Sequence, residues 1–324
     1  MKQFLRHQIP RPHSGIIGHR GAAGLAPENT LAAFAAAAEL ELNWVEFDVQ
    51  CCASGEWVLF HDQRLERTSN GRGLIQETSW QVLKNLDVGA WFGPEYRGTA
   101  IPLLSEALQY LAASNLHPNI EIKVADALVC PTKAVPPDLL PPLEGVRSAR
   151  GAIAARGIYD RASLSGPQNF RAIKTLLKTI QHFWPSMNPP PLISSFDAQL
   201  LLQIQSLAPE LPLGYLSDCK TQTFEQSLQH VLDSGFDALH CDYRALNSNF
   251  IQLAHQQGVP LLAYTVNDPG KTQELISQGL FGVFSDMVFS AHNPALPSDS
   301  ASATKPAVPQ PQSHEKKKKN KLFN

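Results

Sequence analysis

Short apolar runs, each closed by polar or turn-forming residues, recur along this chain, and segments with helical spacing lie between them. Strand candidates begin at Ile16 (IIGH), Trp44 (WVEFDVQC), Asn119 (NIEIK), Leu192 (LISSF), Leu211 (LPLGYL), Ala238 (ALHCDY), Leu261 (LLAYTV) and Gly282 (GVFSD). Runs this short and this rich in β-branched and aromatic residues read as buried strands. Helices are expected over LAAFAAAAELEL, where Ala and Leu are strong helix formers and Asn29 or Thr30 can cap, and over LLSEALQYLAAS. Further helical segments are expected over Asp197–Leu207, Thr221–Ser234, Asn247–Gln257 and Asp268–Gln278. An extra β-like piece, WVLFH, follows the second strand across the turn Ala53-Ser54-Gly55. Eight strands with helices between most of them predict a parallel α/β sheet that can close into a TIM barrel. An open doubly wound sheet competes, but no GxGxxG follows the first strand.

Two stretches break the alternation. Residues 62–100 form a long connection with some structure of its own. Residues 124–167 carry CPTKAVPPDLLPPLEG, whose prolines oppose regular structure and whose length exceeds an ordinary βα loop. The expected organisation is an extension over 1–14, a barrel over 15–292 with insertions at 62–100 and 124–167, and a disordered tail over 293–324. That tail is Pro/Ser-rich and ends in KKKKNK, which reads as a solvated basic segment.

Composition narrows this picture. A length of 324 residues suits one barrel of about 250 with additions. The hydrophobic share of 43% can fill a sizeable core, and a formal net charge of −2 argues against nucleic-acid binding by bulk charge. No apolar run reaches the roughly 18 residues of a membrane span. The first residues show no apolar leader segment. Cys51, Cys52, Cys130, Cys219 and Cys241 are odd in number and form no CxxC pair, which favours free thiols in a reducing compartment. A cytoplasmic protein is the expectation; the sequence carries nothing on oligomeric state.

Ionisable residues cluster where barrel strands end, the edge on which barrel sites are built. His19 and Arg20 follow the first strand. Glu46 and Asp48, two residues apart on the second strand, face the same way, as do Glu121 and Lys123 on the third. His61 closes the extra piece. Isolated charges buried in such apolar runs cost several kcal/mol each unless compensated. Converging carboxylates are reconciled by a hard divalent cation, Mg²⁺ or Ca²⁺. Two imidazoles beside it suit general acid and base work near neutral pH. Arg20 and Lys123 supply positive charge for an anionic substrate oxygen. Together these groups fit metal-assisted hydrolysis of a phosphate ester.

Plainer readings stand beside these. Glu46 and Asp48 could salt-bridge Arg20 and Lys123 with no further role, and a strand-end His19 could be a structural hydrogen-bonder. Asp62 either orients His61 or starts a turn. His240, near a strand end, either faces the mouth or, the preferred reading without a partner, is a satisfied structural residue. Phe196 and Tyr264 either line a substrate pocket or close the core. Cys51 and Cys52 read as packing, since thiolates match a hard cation poorly.

The strings GHRG, PENT, EFD, FHD, LERTSNGRG, IEIK, YTVND and GVFSD occur in that order between Gly15 and Asp286. In that order they resemble the glycerophosphodiester phosphodiesterase family. The resemblance implies a TIM barrel with a small insertion after FHD, here residues 62–100. It implies His19 and His61 as the catalytic pair and Glu46, Asp48 and Glu121 as metal ligands, with Arg20 and Lys123 on the substrate phosphate. The role of Glu28 stays open. The implied substrate is a small glycerophosphodiester, released as an alcohol and sn-glycerol 3-phosphate. The nucleophile is either a substrate hydroxyl, giving a cyclic phosphate, or water. Two departures stand out: the insertion after EIK, and FSDMV where the family tends to carry a proline. A lysophospholipase D-like activity and a catalytically silent barrel are the alternatives; the intact histidines and acids argue against the second.

Overall fold

The computed structural model describes residues 8–123 and 167–288. The region read as the 124–167 insertion, except Pro167, and the tail from 293 lie outside these residues. Eight parallel strands form the barrel: β1 (Ile16–Gly18), β2 (Trp44–Cys51), β4 (His117–Ile122), β5 (Leu192–Ser195), β6 (Leu213–Ser217), β7 (Ala238–Asp242), β8 (Leu261–Tyr264) and β9 (Gly282–Ser285). Closure is carried by β1, which pairs with β9 through Ile16↔Val283 and Gly18↔Ser285 and with β2 through Gly18↔Val45. The eight expected strands are all present, and the closed barrel rather than the open sheet is the architecture. The third barrel strand, β4, starts two residues earlier than the apolar run suggests, because His117 and Pro118 pair with Trp44 and Val45.

Helices α1 (Leu31–Glu39), α3 (Leu104–Ala113), α4 (Pro167–Phe183), α5 (Ala198–Leu207), α6 (Phe224–Ser234), α7 (Ser248–Gln256) and α8 (Pro269–Ser277) accompany the strands, and a short α2 (Trp80–Leu83) lies in the 62–100 connection. Most start at a side-chain cap: Thr30, Asp197, Thr223, Asn247 and Asp268 each accept from a backbone N–H of the first turn. Of the two expected α1 caps, Thr30 takes the role. α4 was not expected, since its sequence follows the proline-rich stretch without a clear start signal.

Alternation along each strand builds two cores. On β2, Val45, Phe47 and Val49 point outward and join Leu104, Leu108, Ile120, Ile193, Leu200 and Leu239 between sheet and helices. Inside the barrel Ile17, Trp44, Leu192, Ala238, Leu262 and Phe284 fill the base. Above that plug the inward positions turn polar. The strand β3 (Trp57–Leu59) runs antiparallel to the end of β2, through Val49↔Leu59 and Cys51↔Trp57, so the chain doubles back toward the mouth. The following segment packs a separate cluster of Cys52, Val58, Phe60, Leu65, Ile75, Leu83, Val88 and Ile101. Cys51 and Cys52 are both buried in these clusters, in keeping with packing roles.

His240 lies on the inward face of β7, fully buried, with its ring 5.1 Å from that of Phe284. Neither ring nitrogen has a hydrogen-bond partner among the described residues. The satisfied structural role expected of it is therefore not met by hydrogen bonding; the ring fills the space beside Gly214, where a Cβ would fall 2.7 Å from His240 Nε2. Burial pushes the imidazole down to about 3, and burial likewise pushes His117, 4.0 Å from the Trp44 ring, down to about 4. Both rings stay neutral in the fold while the unfolded chain takes up protons near pH 6.5. Their stabilising effect is therefore complete above that pH and is lost as pH falls toward 4 and 3. Each contributes a slope of about 1.4 kcal/mol per pH unit across that window. Urea titrations from pH 7 to 4 should show this loss, and His240→Leu should flatten it by one imidazole's share; an unaltered slope in the variant would exclude His240 as a source.

Candidate active site

Three buried carboxylates occupy the top of the barrel interior. Asp48 and Glu121 are register partners on the adjacent strands β2 and β4, and Glu46 lies one inward position below Asp48. One oxygen from each falls within 4.8 Å of the others. The protein answers this negative charge unevenly. Lys123 Nζ sits 3.0 Å from Asp48 Oδ1 and also contacts Glu121 Oε1. Arg20 Nε lies 3.5 Å from Asp48 Oδ2. Asn29 clamps Asp48 twice, donating from Nδ2 to Oδ2 at 2.8 Å and accepting from the Asp48 backbone N–H at 3.0 Å. Asn29 is thus not a helix cap but a support for an acid, and its left-handed backbone, φ +57°, aims it there.

Burial alone would raise the Asp48 carboxyl, but the Lys123 and Arg20 cations hold it well below the usual carboxylate range. Burial raises Glu121 above its ordinary value despite Lys123. Glu46 is the least compensated: burial and the neighbouring Asp48 push it up to about 8. Its Oε2 accepts from the Arg20 backbone N–H at 3.0 Å, whereas Oε1 is buried without a hydrogen-bond partner among the described residues. An unpaired carboxylate oxygen beside two more acids is what a hard cation would satisfy, and the all-oxygen donor set suits Mg²⁺ or Ca²⁺.

Two imidazoles flank the acids, each anchored at Nδ1 by a carboxylate. His19, at the end of β1, bonds Asp286 Oδ1 at 2.6 Å and places Nε2 3.8 Å from Glu46 Oε2. Asp286 in turn accepts from Asn267 Nδ2 at 2.9 Å. Burial would lower the His19 ring, but the Asp286 hydrogen bond and the field of Glu46 raise it. His61, just after β3, bonds Asp62 Oδ1 at 2.6 Å. Burial, with the nearby Lys123 and Arg20 cations, lowers His61, although Asp48 acts the other way. The turn that carries His61 is gripped by Gln50, whose amide Nε2 reaches the carbonyls of Phe60, His61 and Asp62 at 2.9, 3.1 and 2.7 Å.

The first βα loop depends on its glycines. Gly21 has φ +87°, and a Cβ there would fall 2.6 Å from that of Ala33. This fold of GHRG sends Arg20 toward Asp48 and Glu28. Glu28 accepts from Arg20 Nη1 at 2.8 Å and from both terminal nitrogens of Arg67, at 2.8 and 2.7 Å. Arg67 also holds Asp62, so one guanidinium ties the loop after β1 to the turn bearing His61. On the other side of the barrel mouth Phe196, half exposed, meets Tyr264 edge-on at 6.0 Å, and Tyr264 Oη donates to the Ser217 carbonyl at 2.9 Å.

The residues singled out in the sequence therefore converge on one end of the barrel: His19, Arg20, Glu46, Asp48, His61, Glu121 and Lys123 surround the same point. Sequence reasoning missed Gln50 and Asp286, although both continue an inward i, i+2 series. It also missed Arg67 and Asn267, for which no local pattern gives a signal.

A family model described as the glycerophosphoryl diester phosphodiesterase family matches residues 19–146 and 161–289. The chain belongs to this family. The Bacillus subtilis glycerophosphodiester phosphodiesterase is 28% identical over 280 residues, 83% of this chain and 82% of the relative. The enzyme of the same name from Caldanaerobacter subterraneus is 27% identical over 272 residues, covering 84% and 93%. Among solved structures, an Oleispira antarctica phosphodiesterase in complex with the product sn-glycerol-3-phosphate superposes with a TM-score of 0.67 at 29% identity, over 86% of this chain and 93% of that one. The chain is thus a phosphoric diester hydrolase, and it carries three buried carboxylates that could hold a metal ion. No helix among the described residues is long and apolar enough to cross a membrane.

Cation binding should be measurable without turnover. Millimolar Ca²⁺ or Mg²⁺ added to metal-free protein should raise Tm by roughly 5 °C if the ion is at about 100 times its Kd. Glu46→Gln and Glu121→Gln should each lose most of that rise. An equal rise in both variants would place the ion elsewhere.

Proposed function

We propose that the chain hydrolyses glycerophosphodiesters to glycerol 3-phosphate and an alcohol, with His19 and His61 as the proton-transfer pair and Arg20 and Lys123 on the phosphate. The observation that carries this reading is the pairing of a buried carboxylate cluster with two imidazoles, each held at Nδ1 by its own acid. That anchoring leaves Nε2 of both rings as the atom that exchanges protons with substrate. One ring takes the proton of the attacking hydroxyl; the other returns one to the departing alkoxide.

Glu46, Asp48 and Glu121 would hold the divalent cation, which supplies charge neutralisation and polarisation at the phosphoryl oxygens. Arg20 and Lys123 stabilise the negative charge that grows on those oxygens in the transition state. Both are kept protonated by the acids around them, with Lys123 raised above its usual range by Asp48 and Glu121 despite its burial. Asp286 and Asp62 hold the imidazoles in one tautomer and orientation, and Gln50 fixes the turn beneath His61. Phe196 and Tyr264 form an apolar wall across the mouth, suited to the carbon skeleton of the substrate. Residues 62–100 act as a family-type insertion whose own apolar cluster steadies the turn at His61.

Hydrolysis of glycerophosphocholine with coupled detection of glycerol 3-phosphate tests this reading. Activity should vanish with EDTA and return with Mg²⁺ or Ca²⁺. His19→Ala and His61→Ala should each lose between about 10² and 10⁴ in kcat while remaining folded. Asp286→Ala should lower kcat by roughly 10- to 100-fold with little change in KM. Near-normal turnover in either histidine variant would remove that residue from the mechanism.

A further inference from the structure

Two cysteines far apart in sequence meet beside the mouth wall. Cys241 lies within β7 and is fully buried on the face toward the helices. Cys219 lies two residues beyond the end of β6, in the turn leading to α6, and is partly exposed. In the parallel register Ser217 stands opposite Cys241. A straight continuation of β6 would carry Cys219 past it. Instead Cys219 adopts a left-handed backbone, φ +52°, which returns its side chain to β7. The two Sγ atoms are 3.3 Å apart, within the contact distance of two sulfurs and about 1.3 Å from bonding separation.

The turn that presents Cys219 is well tied. Asp218 Oδ1 accepts from the backbone N–H groups of Lys220 and Thr221, at 2.9 and 3.2 Å, and from the Thr221 hydroxyl at 3.1 Å. Ser217 Oγ accepts from the Cys219 N–H at 3.2 Å and meets Ser227 Oγ of α6 at 2.7 Å. The backbone that presents the Cys219 sulfur is therefore held by hydrogen bonds on both sides.

We infer that Cys219 and Cys241 form a reversible dithiol–disulfide site that staples the β6–α6 turn to β7. The co-reactant is a small-molecule disulfide such as oxidised glutathione. The partly exposed Cys219 thiolate attacks one sulfur of that disulfide, forming a mixed disulfide and expelling one thiolate. Cys241 then attacks the Cys219 sulfur and expels the second. Two protein thiols are oxidised to one disulfide, one small disulfide is reduced to two thiols, and the two protein protons go to the leaving thiolates. The contact with Cys241 also lowers the Cys219 thiol from its ordinary value, favouring Cys219 as the attacking partner. The staple bears on the site wall, because the Ser217 carbonyl at its base receives the Tyr264 hydroxyl.

Trypsin separates the two cysteines into peptides 179–220 and 221–244, each with a single cysteine. The full-length reduced protein is incubated with excess oxidised glutathione, blocked with an alkylating agent, digested without reductant and analysed by mass spectrometry. The expected product is the 179–220/221–244 pair joined by one disulfide, released by dithiothreitol and absent in Cys219→Ser. Oxidation should raise Tm by roughly 5 °C in the native protein and not in Cys219→Ser, a variant at a partly exposed position that keeps the Cys241 packing intact. A stable glutathione adduct on Cys219 without the cross-link, a cross-link involving Cys51, Cys52 or Cys130, or no reaction at all would each overturn the proposal.

Discussion

Three carboxylates held within 4.8 Å of one another in a buried space are the constraint around which this barrel mouth is built. At that spacing two like charges repel by roughly 3–4 kcal/mol even at an effective dielectric constant of 20. The fold offsets part of this itself. Lys123 and Arg20 converge on Asp48, and Asn29 fixes its remaining geometry. Glu46 is left with one oxygen that has no hydrogen-bond partner among the described residues, and with a raised proton affinity. The cluster thus keeps excess negative charge, and its three oxygens lie close enough together to hold a metal ion.

Barrel closure determines what stands beside that charge. Because β1 pairs with both β9 and β2, the loop after β1 lies between the acids of β2 and the end of β9. His19 is therefore caught between Glu46 and Asp286. The second imidazole arrives differently, on a strand that doubles back along β2. Gln50 spends its amide on three carbonyls to hold that return, and Arg67 binds the acid behind it to the loop after β1. The two histidines come from different strands but are held by the same device, a carboxylate on Nδ1. A neutral structural salt-bridge network would need neither anchored ring nor an unpaired Glu46 oxygen.

Much of this was legible in the sequence, and for a physical reason. The inward series Glu46–Asp48 and Glu121–Lys123 put charges where apolar residues would be expected, and strand alternation alone then fixed their common side. The eight barrel strands were legible because each is a short apolar run with a clear break. What was not legible depends on long-range closure. Nothing near Asp286 announces His19, 267 positions away, until β9 pairs with β1. The grip of Arg67 on Glu28 appears only once the 62–100 segment folds back. Asn29 read as a possible helix cap because Asn is a common capping residue just before a helical run; only the fold shows it serving Asp48. Cys219 and Cys241 looked unrelated because their contact needs a left-handed residue that no periodicity predicts.

The most direct measurement is crystallography of the protein soaked with Mn²⁺ as an anomalous stand-in for the hard cation, together with glycerol 3-phosphate. The account predicts one strong anomalous peak bounded by Glu46, Asp48 and Glu121, with the phosphate beside it and the Nε2 atoms of His19 and His61 turned toward that phosphate. A peak elsewhere on the molecule, or phosphate bound away from the three acids, would contradict it.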